Sequence, residues 1–182
     1  MTNIAIISGS PFVESRTDCV LRYLQRELEA RGCKVTYVSV RDVPAQDLLD
    51  CKFDSPAVRH AAETLRASDG VVVGSPVYQA AYSGALKILI DLLPMDILEG
   101  KPVLPMMTGG TKAHLLALEF SLKPLLATLK AHNLKGIYLV DKEIDKVANQ
   151  PILDDATHGR TLKQLEYFLD FTGKVSSKKI EY

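Results

Sequence analysis

The sequence predicts an α/β fold, a doubly wound parallel sheet of five strands in the order 2-1-3-4-5. Three features point to it. Apolar, β-branched runs of strand length recur five times along the chain. Stretches with a helical apolar period lie between them. Loops rich in Gly, Ser, Thr and Pro sit where strands give way to helices. No internal repeat or low-complexity segment interrupts the alternation.

The first strand is expected over 4–8, a buried apolar run that ends at Gly9. A helix over 16–31 places Val20, Leu21, Leu24 and Leu28 on one face, and Gly32 stands in the usual terminating position. The Val-rich, alternating segment 34–40 is a second strand nearer an edge. Residues 41–54 mix Pro, Asp and short apolar pairs and read as an irregular connection. Ser55 and Pro56 open a helix that runs to about Ala67. Val71, Val72 and Val73 form the third strand, between Gly70 and Gly74. A helix over 84–93 stops at Pro94, and the fourth strand covers 102–107. A long helix follows over 111–131, interrupted by Pro124, and the fifth strand is 136–140. Residues 141–153 carry no clear period. The last helix spans 154–171 with Leu162, Leu165, Phe168 and Leu169 facing in. The arrangement is flavodoxin-like, with a ligand expected where strands one and three part.

One domain is expected over 1–173, with 174–182 as a loose tail. An apolar fraction of 47% suffices for a full core. Lys+Arg number 22 and Asp+Glu number 22, and no basic stripe appears, so no nucleic acid is expected as a partner. Small electron carriers that dock by charge are often strongly one-signed, so this balance favours an enzyme, and it fits a protein that covers part of its surface by oligomerising. Cys19, Cys33 and Cys51 lack CxxC spacing, which indicates reduced thiols in a cytoplasmic protein. His60, His114, His132 and His158 make no ligand pattern, so no metal site is expected. With no charged leader and no apolar run of ~18 residues, neither a signal peptide nor a membrane span is expected.

Three loops carry the chemistry, and they follow strands one, three and four. In the first, residues 9–17, Ser10, Ser15 and Thr17 supply hydroxyls and Arg16 a cation at a helix start, a combination suited to a terminal phosphate. An ordinary capped turn is the plainer reading. In the second, Pro76, Val77 and Tyr78 offer an apolar edge, a ring and backbone groups for a flat heterocycle, with Tyr82 and Ser83 near the same mouth. Alternatively, Tyr78 and Tyr82 are packing residues four apart at a helix start. In the third, Thr108, Gly109, Gly110 and Thr111 allow a backbone to approach a ring and aim N–H groups at it, although Gly-Gly more commonly serves a turn. Together they point to an FMN site. Hydride transfer needs positioning and water exclusion rather than a catalytic side chain, which fits the missing triad or carboxylate pair. Asp91 and His114 lie near these loops but read better as helix-surface or capping residues. Lys112, Lys87 and Arg16 are the cations available to a nicotinamide dinucleotide 2′-phosphate.

At these residues the chain resembles the NADPH-dependent FMN reductases of two-component alkanesulfonate monooxygenase systems. The stretches that carry the likeness are Gly9-Ser10-Pro11 with Ser15-Arg16-Thr17, and Phe53-Asp54-Ser55-Pro56. Further on they are Ser75-Pro76-Val77-Tyr78 with Ala81 to Lys87, Asp91-Leu92-Leu93-Pro94, and Thr108 to Thr111 with Ala113 to Ala117. The likeness covers residues 4 to about 140. It implies reduction of FMN by NADPH and delivery of FMNH2 to a separate monooxygenase in organosulfonate desulfonation. It implies that Ser10, Ser15, Arg16 and Thr17 hold the phosphate, and that Pro76, Val77, Tyr78 and the turn 108–111 hold the ring. It also implies a homo-oligomer, a tetramer or dimer, packed through the helix 112–131. Relatives carry a π-type widening there around an aromatic residue, usually Tyr. Phe120 takes that position and has no hydroxyl to donate across an interface.

Three other readings use the same loops. An FMN-holding quinone or azo-dye reductase of the same fold would keep its flavin. A flavodoxin-like electron carrier would show no pyridine-nucleotide activity. A nucleotide-binding regulatory protein would show no redox chemistry.

Overall fold

In a computed structural model, which describes residues 1–178, the central sheet is parallel throughout. Its strands are β1 (Asn3–Ser8), β2 (Lys34–Ser39), β3 (Gly70–Pro76), β4 (Pro102–Gly109), β5 (His132–Asn133) and β6 (Ile137–Val140). Their order is β2-β1-β3-β4-β5, and β6 also pairs with β4. This is the expected 2-1-3-4-5 topology, with the fifth position shared by two short strands. β5 meets β4 at Pro102 and Val103, and β6 meets it at 106–109. Gly136, at φ +86, lies between the two, and a Cβ there would stand 2.8 Å from the Pro105 carbonyl oxygen. The edge chain therefore turns away from β4 at Pro105, whose missing N–H already breaks the ladder.

The helices are α1 (Arg16–Ala30), α2 (Ala45–Leu49), α3 (Pro56–Ala67), α4 (Gly84–Asp91), α5 (Lys123–Thr128) and α6 (Asp155–Lys178). Because neighbouring side chains leave a strand on opposite sides, the apolar strands feed two cores. Ala5, Ile7, Val71, Val73, Val103 and Met107 face the side that holds α3, α4 and α5. Ile4, Ile6, Val72, Leu104 and Met106 face Leu21, Leu24 and Leu28 of α1, and Leu165 and Phe168 of α6. Gly32 ends α1 at φ +80, with the Cys33 N–H on the Leu28 carbonyl, as its position in the sequence indicated.

Four expectations are corrected. The connection 41–54 is not wholly irregular: a 3₁₀ turn spans Val40–Asp42 and α2 follows. Tyr78 and Tyr82 do not share a helix start, for the chain folds back between Tyr78 and Ala81 before α4 begins. The helix expected over 111–131 is three pieces: a 3₁₀ turn at Lys112–His114, a π turn at Leu118–Leu122, and α5. In the π turn the Lys123 N–H reaches the Leu118 carbonyl, five residues back. Pro124 has no N–H to offer, so the regular four-residue ladder has no donor at that point and the wider turn costs little. The Ser121 hydroxyl bonds the Ala117 carbonyl at 2.6 Å. Finally, the tail is helical as far as Lys178. Thr172 is fully buried and, with Phe168, packs against Gly70, which carries α6 beyond 171. Residues 179–182 of the expected tail lie outside the described residues.

Close approach of α1 to the sheet depends on Gly74, where a Cβ would stand 2.6 Å from Leu21 Cδ1 and 2.9 Å from Leu21 Cγ. Leu21 is fully buried. Gly74→Ala is expected to destabilise the protein by about 1–3 kcal/mol through overpacking. Urea unfolding measures it, and an unchanged midpoint would show that α1 moves aside freely.

Candidate functional site

The three loops meet at the carboxyl edge of β1, β3 and β4, which are neighbours in register: Ser8 pairs with Gly74, and Pro76 with Thr108. Beyond the strand ends, four contacts hold the loops together. The Gly9 N–H donates to the Gly74 carbonyl at 2.7 Å, and the Val77 N–H to the Thr108 carbonyl at 2.8 Å. The Ser83 hydroxyl donates to the Gly9 carbonyl. The Thr17 and Thr108 hydroxyls, both buried, lie 2.6 Å apart. One hydroxyl of that pair donates to the other, which leaves a single O–H hydrogen available.

The first loop is a set of unused backbone donors. Among the described residues, the N–H groups of Val13, Glu14, Arg16 and Thr17 have no partner. They lie around Glu14, held at φ 55, and the N-terminus of the 15-residue α1. Successive N–H groups around a left-handed residue make an anion-binding concavity, and the helix dipole adds to it. Ser15 caps α1 by accepting the Asp18 N–H at 3.0 Å, and its own O–H hydrogen is uncommitted. Arg16 is exposed and makes no ion pair among the described residues. Ser10 differs: it is fully buried and donates to the Phe12 carbonyl, so it shapes the loop from within.

In the second loop, Tyr78 and Ala81 exchange two backbone hydrogen bonds across Gln79 (φ 47) and Ala80 (φ 62), a tight reverse turn. Tyr78 stays 39% exposed at the crevice. Partial burial, with Asp141 nearby, raises its pKa above the ordinary phenol value. Ser83 is buried and caps α4 by accepting the Leu86 N–H, while its N–H donates to Ser75 Oγ. All its hydrogen bonds are internal, and it ties the first loop to the second.

The third loop leaves the N–H groups of Gly110, Thr111 and Lys112 without partners among the described residues. Gly110 is exposed with open space around it. At Gly109 a Cβ would stand 2.5 Å from the Tyr138 hydroxyl, which donates to the Thr111 carbonyl. A side chain there would displace the Tyr138 hydroxyl from the Thr111 carbonyl. Of the other residues singled out, Lys87 is held by both Asp91 oxygens on the outside of α4, and His114 is exposed. Among the described residues no cluster of ligand side chains suits a metal.

Sequence reasoning missed what lies behind the first loop. Asp18 is buried, accepts from the Ser8 and Tyr37 hydroxyls, and lies 2.8 Å from Arg41 Nη1. Arg41 also donates to the Ser10 and Phe12 carbonyls. The Ser15-x-x-Asp18 capping spacing was visible. Arg41 stands in a segment with no period, and nothing in the sequence joined it to the loop.

The donors fit FMN. A concave run of N–H groups with Arg16 suits the phosphate, and the open, glycine-backed turn beside Val77 suits a flat ring. The chain matches the family described as NADPH-dependent FMN reductase over residues 2–145. It is 46% identical over 142 residues to an FMN reductase (NADPH) of Pseudomonas putida, which covers 78% of this chain and 72% of that protein. It is 41% identical over 166 residues to an FMN reductase (NADPH) of Escherichia coli, covering 91% and 87%. Among solved structures, the apo form of the NADH:FMN oxidoreductase EMOB superposes with a TM-score of 0.84 at 28% identity, covering 92% of this chain and 88% of that one. The match over most of its length, borne by relatives this similar, makes the chain a member of the NADPH-dependent FMN reductase family.

Proposed function

We propose that this NAD(P)H:FMN oxidoreductase binds FMN in the crevice between its three loops, takes it as a passing substrate, and supplies FMNH2 to a separate monooxygenase, in organosulfonate desulfonation. The observation that carries the binding reading is that the loop holding the unpartnered N–H groups at 13–17 and the loop holding those at 110–112 leave the same edge of neighbouring strands. FMN, when bound, supplies the ring that accepts the hydride. The protein's part is to hold and orient. Val13, Glu14, Arg16 and Thr17 amides, with the Ser15 hydroxyl and Arg16, hold the phosphate. Pro76, Val77 and Tyr78 border the ring, and the Gly110, Thr111 and Lys112 amides favour negative charge at its edge. Ser10, Ser83 and Thr108 keep the loops in place. Lys112 is the cation proposed for the nicotinamide dinucleotide 2′-phosphate, since Lys87 is engaged by Asp91.

A passing flavin agrees with the relatives named FMN reductase (NADPH), which take FMN as the molecule reduced. Free Cys19, Cys33 and Cys51 agree with a reducing, cytoplasmic setting. Among the described residues no helix is long and apolar enough to cross a membrane. A homo-oligomer, dimer or tetramer, is proposed through 112–131, where Leu115, Leu116 and Phe120 are 49%, 56% and 77% exposed. Large apolar side chains grouped in this way usually meet a protein partner.

Arg16→Ala is expected to raise the KM for FMN by about ten-fold or more, the loss of a charge-assisted bond of ~1.5–3 kcal/mol, with the KM for NADPH little changed. An unchanged FMN constant removes Arg16 from the site. Purified protein is expected to be colourless and to oxidise NADPH only with added FMN; a yellow protein that keeps FMN through gel filtration favours the quinone or azo reductase. Phe120→Asp is expected to give a smaller particle by light scattering, and an unchanged mass would place the interface elsewhere.

A further inference from the structure

The phosphate reading of 13–17 leaves open what keeps those N–H groups turned outward. The loop has no regular structure, and its Glu14 is held in a left-handed conformation that a free chain seldom adopts. We propose that Arg41 is a positioning residue for the flavin-phosphate loop, acting through the Ser10 and Phe12 carbonyls without touching the flavin; this rests on the phosphate reading.

Arg41 Nη1 donates to the Ser10 carbonyl at 2.6 Å and to the Phe12 carbonyl at 3.0 Å. Every described peptide is trans, so the C=O of one residue and the N–H of the next point in opposite directions. With the Phe12 carbonyl drawn to Arg41, the Val13 N–H faces away from the guanidinium, and it is among the unpartnered donors. Drawing in the Ser10 carbonyl sacrifices no donor, because residue 11 is proline.

Arg41 is itself fixed from behind. It follows β2 in a 3₁₀ turn closed by a capping box. The Ser39 N–H donates to Asp42 Oδ2 at 2.7 Å, and the Arg41 N–H to Ser39 Oγ at 3.2 Å. Asp18 Oδ2 lies 2.8 Å from Nη1, an ion pair that is not aligned as a hydrogen bond. Asp18 Oδ1 accepts from the Ser8 and Tyr37 hydroxyls. Arg22 stacks on the Tyr37 ring, 3.5 Å from its centre. Asp18 thus offsets much of the Arg41 charge. What Arg41 adds is direction: its Nη1, held in a rigid guanidinium plane, donates to both carbonyls and meets Asp18 from one place. Arg41 and Arg16 are therefore separable: Arg16 offers charge to the phosphate, and Arg41 shapes the cradle.

The test compares FMN with riboflavin, which lacks the phosphate, in the Arg41→Met and Arg41→Lys variants. Arg41→Met is expected to raise the KM for FMN by about five-fold or more, with kcat, the KM for riboflavin and the KM for NADPH changed by less than about two-fold. Arg41→Lys is expected to recover part of the loss. Should Arg41→Met fail to fold by circular dichroism, Arg41→Gln is read instead, with the same rise of about five-fold or more confined to FMN. An unchanged FMN constant, or equal rises for FMN and riboflavin, overturns the proposal. A parent enzyme with no preference for FMN over riboflavin overturns the phosphate reading as well, which separates the two failures.

Discussion

The site depends on one constraint, the parallel register of β1, β3 and β4 carried past the strand ends. The strands finish level, with Ser8 beside Gly74 and Pro76 beside Thr108. The ladder then continues into the loops through Gly9 on Gly74, Val77 on Thr108, and the buried hydroxyl contact between Thr17 and Thr108. Thr17 belongs to α1 and Thr108 to β4, so this contact fixes a helix N-terminus against a turn 91 residues away. The contact lies within a buried setting, where a hydroxyl left without its partner costs about 1–3 kcal/mol, so it ties the first loop to the end of β4.

Most of this frame was legible in the sequence because it rests on local signals. The apolar runs, the Gly32 terminator and the Pro56 helix start act within a few residues of themselves, and each stands where expected. The doubly wound class followed from the alternation of strands and helices, with 2-1-3-4-5 as its natural candidate order, and the sheet has that order. What escaped notice depends on distant partners. Arg41 meets the first loop across some 30 positions, and Tyr138 sets the turn at Gly109 from 29 positions on. The roles of Ser10 and Ser83 were read too simply. A serine in a loop sequence looks like a free donor, and only packing shows that these two spend their hydroxyls inside the protein. The second loop was misjudged at Gln79 and Ala80, since neither residue type announces a positive φ.

The π turn at Leu118–Leu122 shows how one residue sets geometry and another exploits it. Pro124 removes a donor from the ladder, and the chain widens by one residue upstream. Phe120 is then thrust outward beside Leu115 and Leu116. A tyrosine there would carry a hydroxyl needing a partner, and phenylalanine does not. An interface through this face would gain apolar contact from residue 120 and no hydroxyl hydrogen bond.

The most direct test is a crystal structure of the protein soaked in FMN. The phosphate is expected against the amides of residues 13–17, with the ring between 76–78 and 108–111. A flavin bound on another face, or a phosphate turned away from α1, would contradict the account.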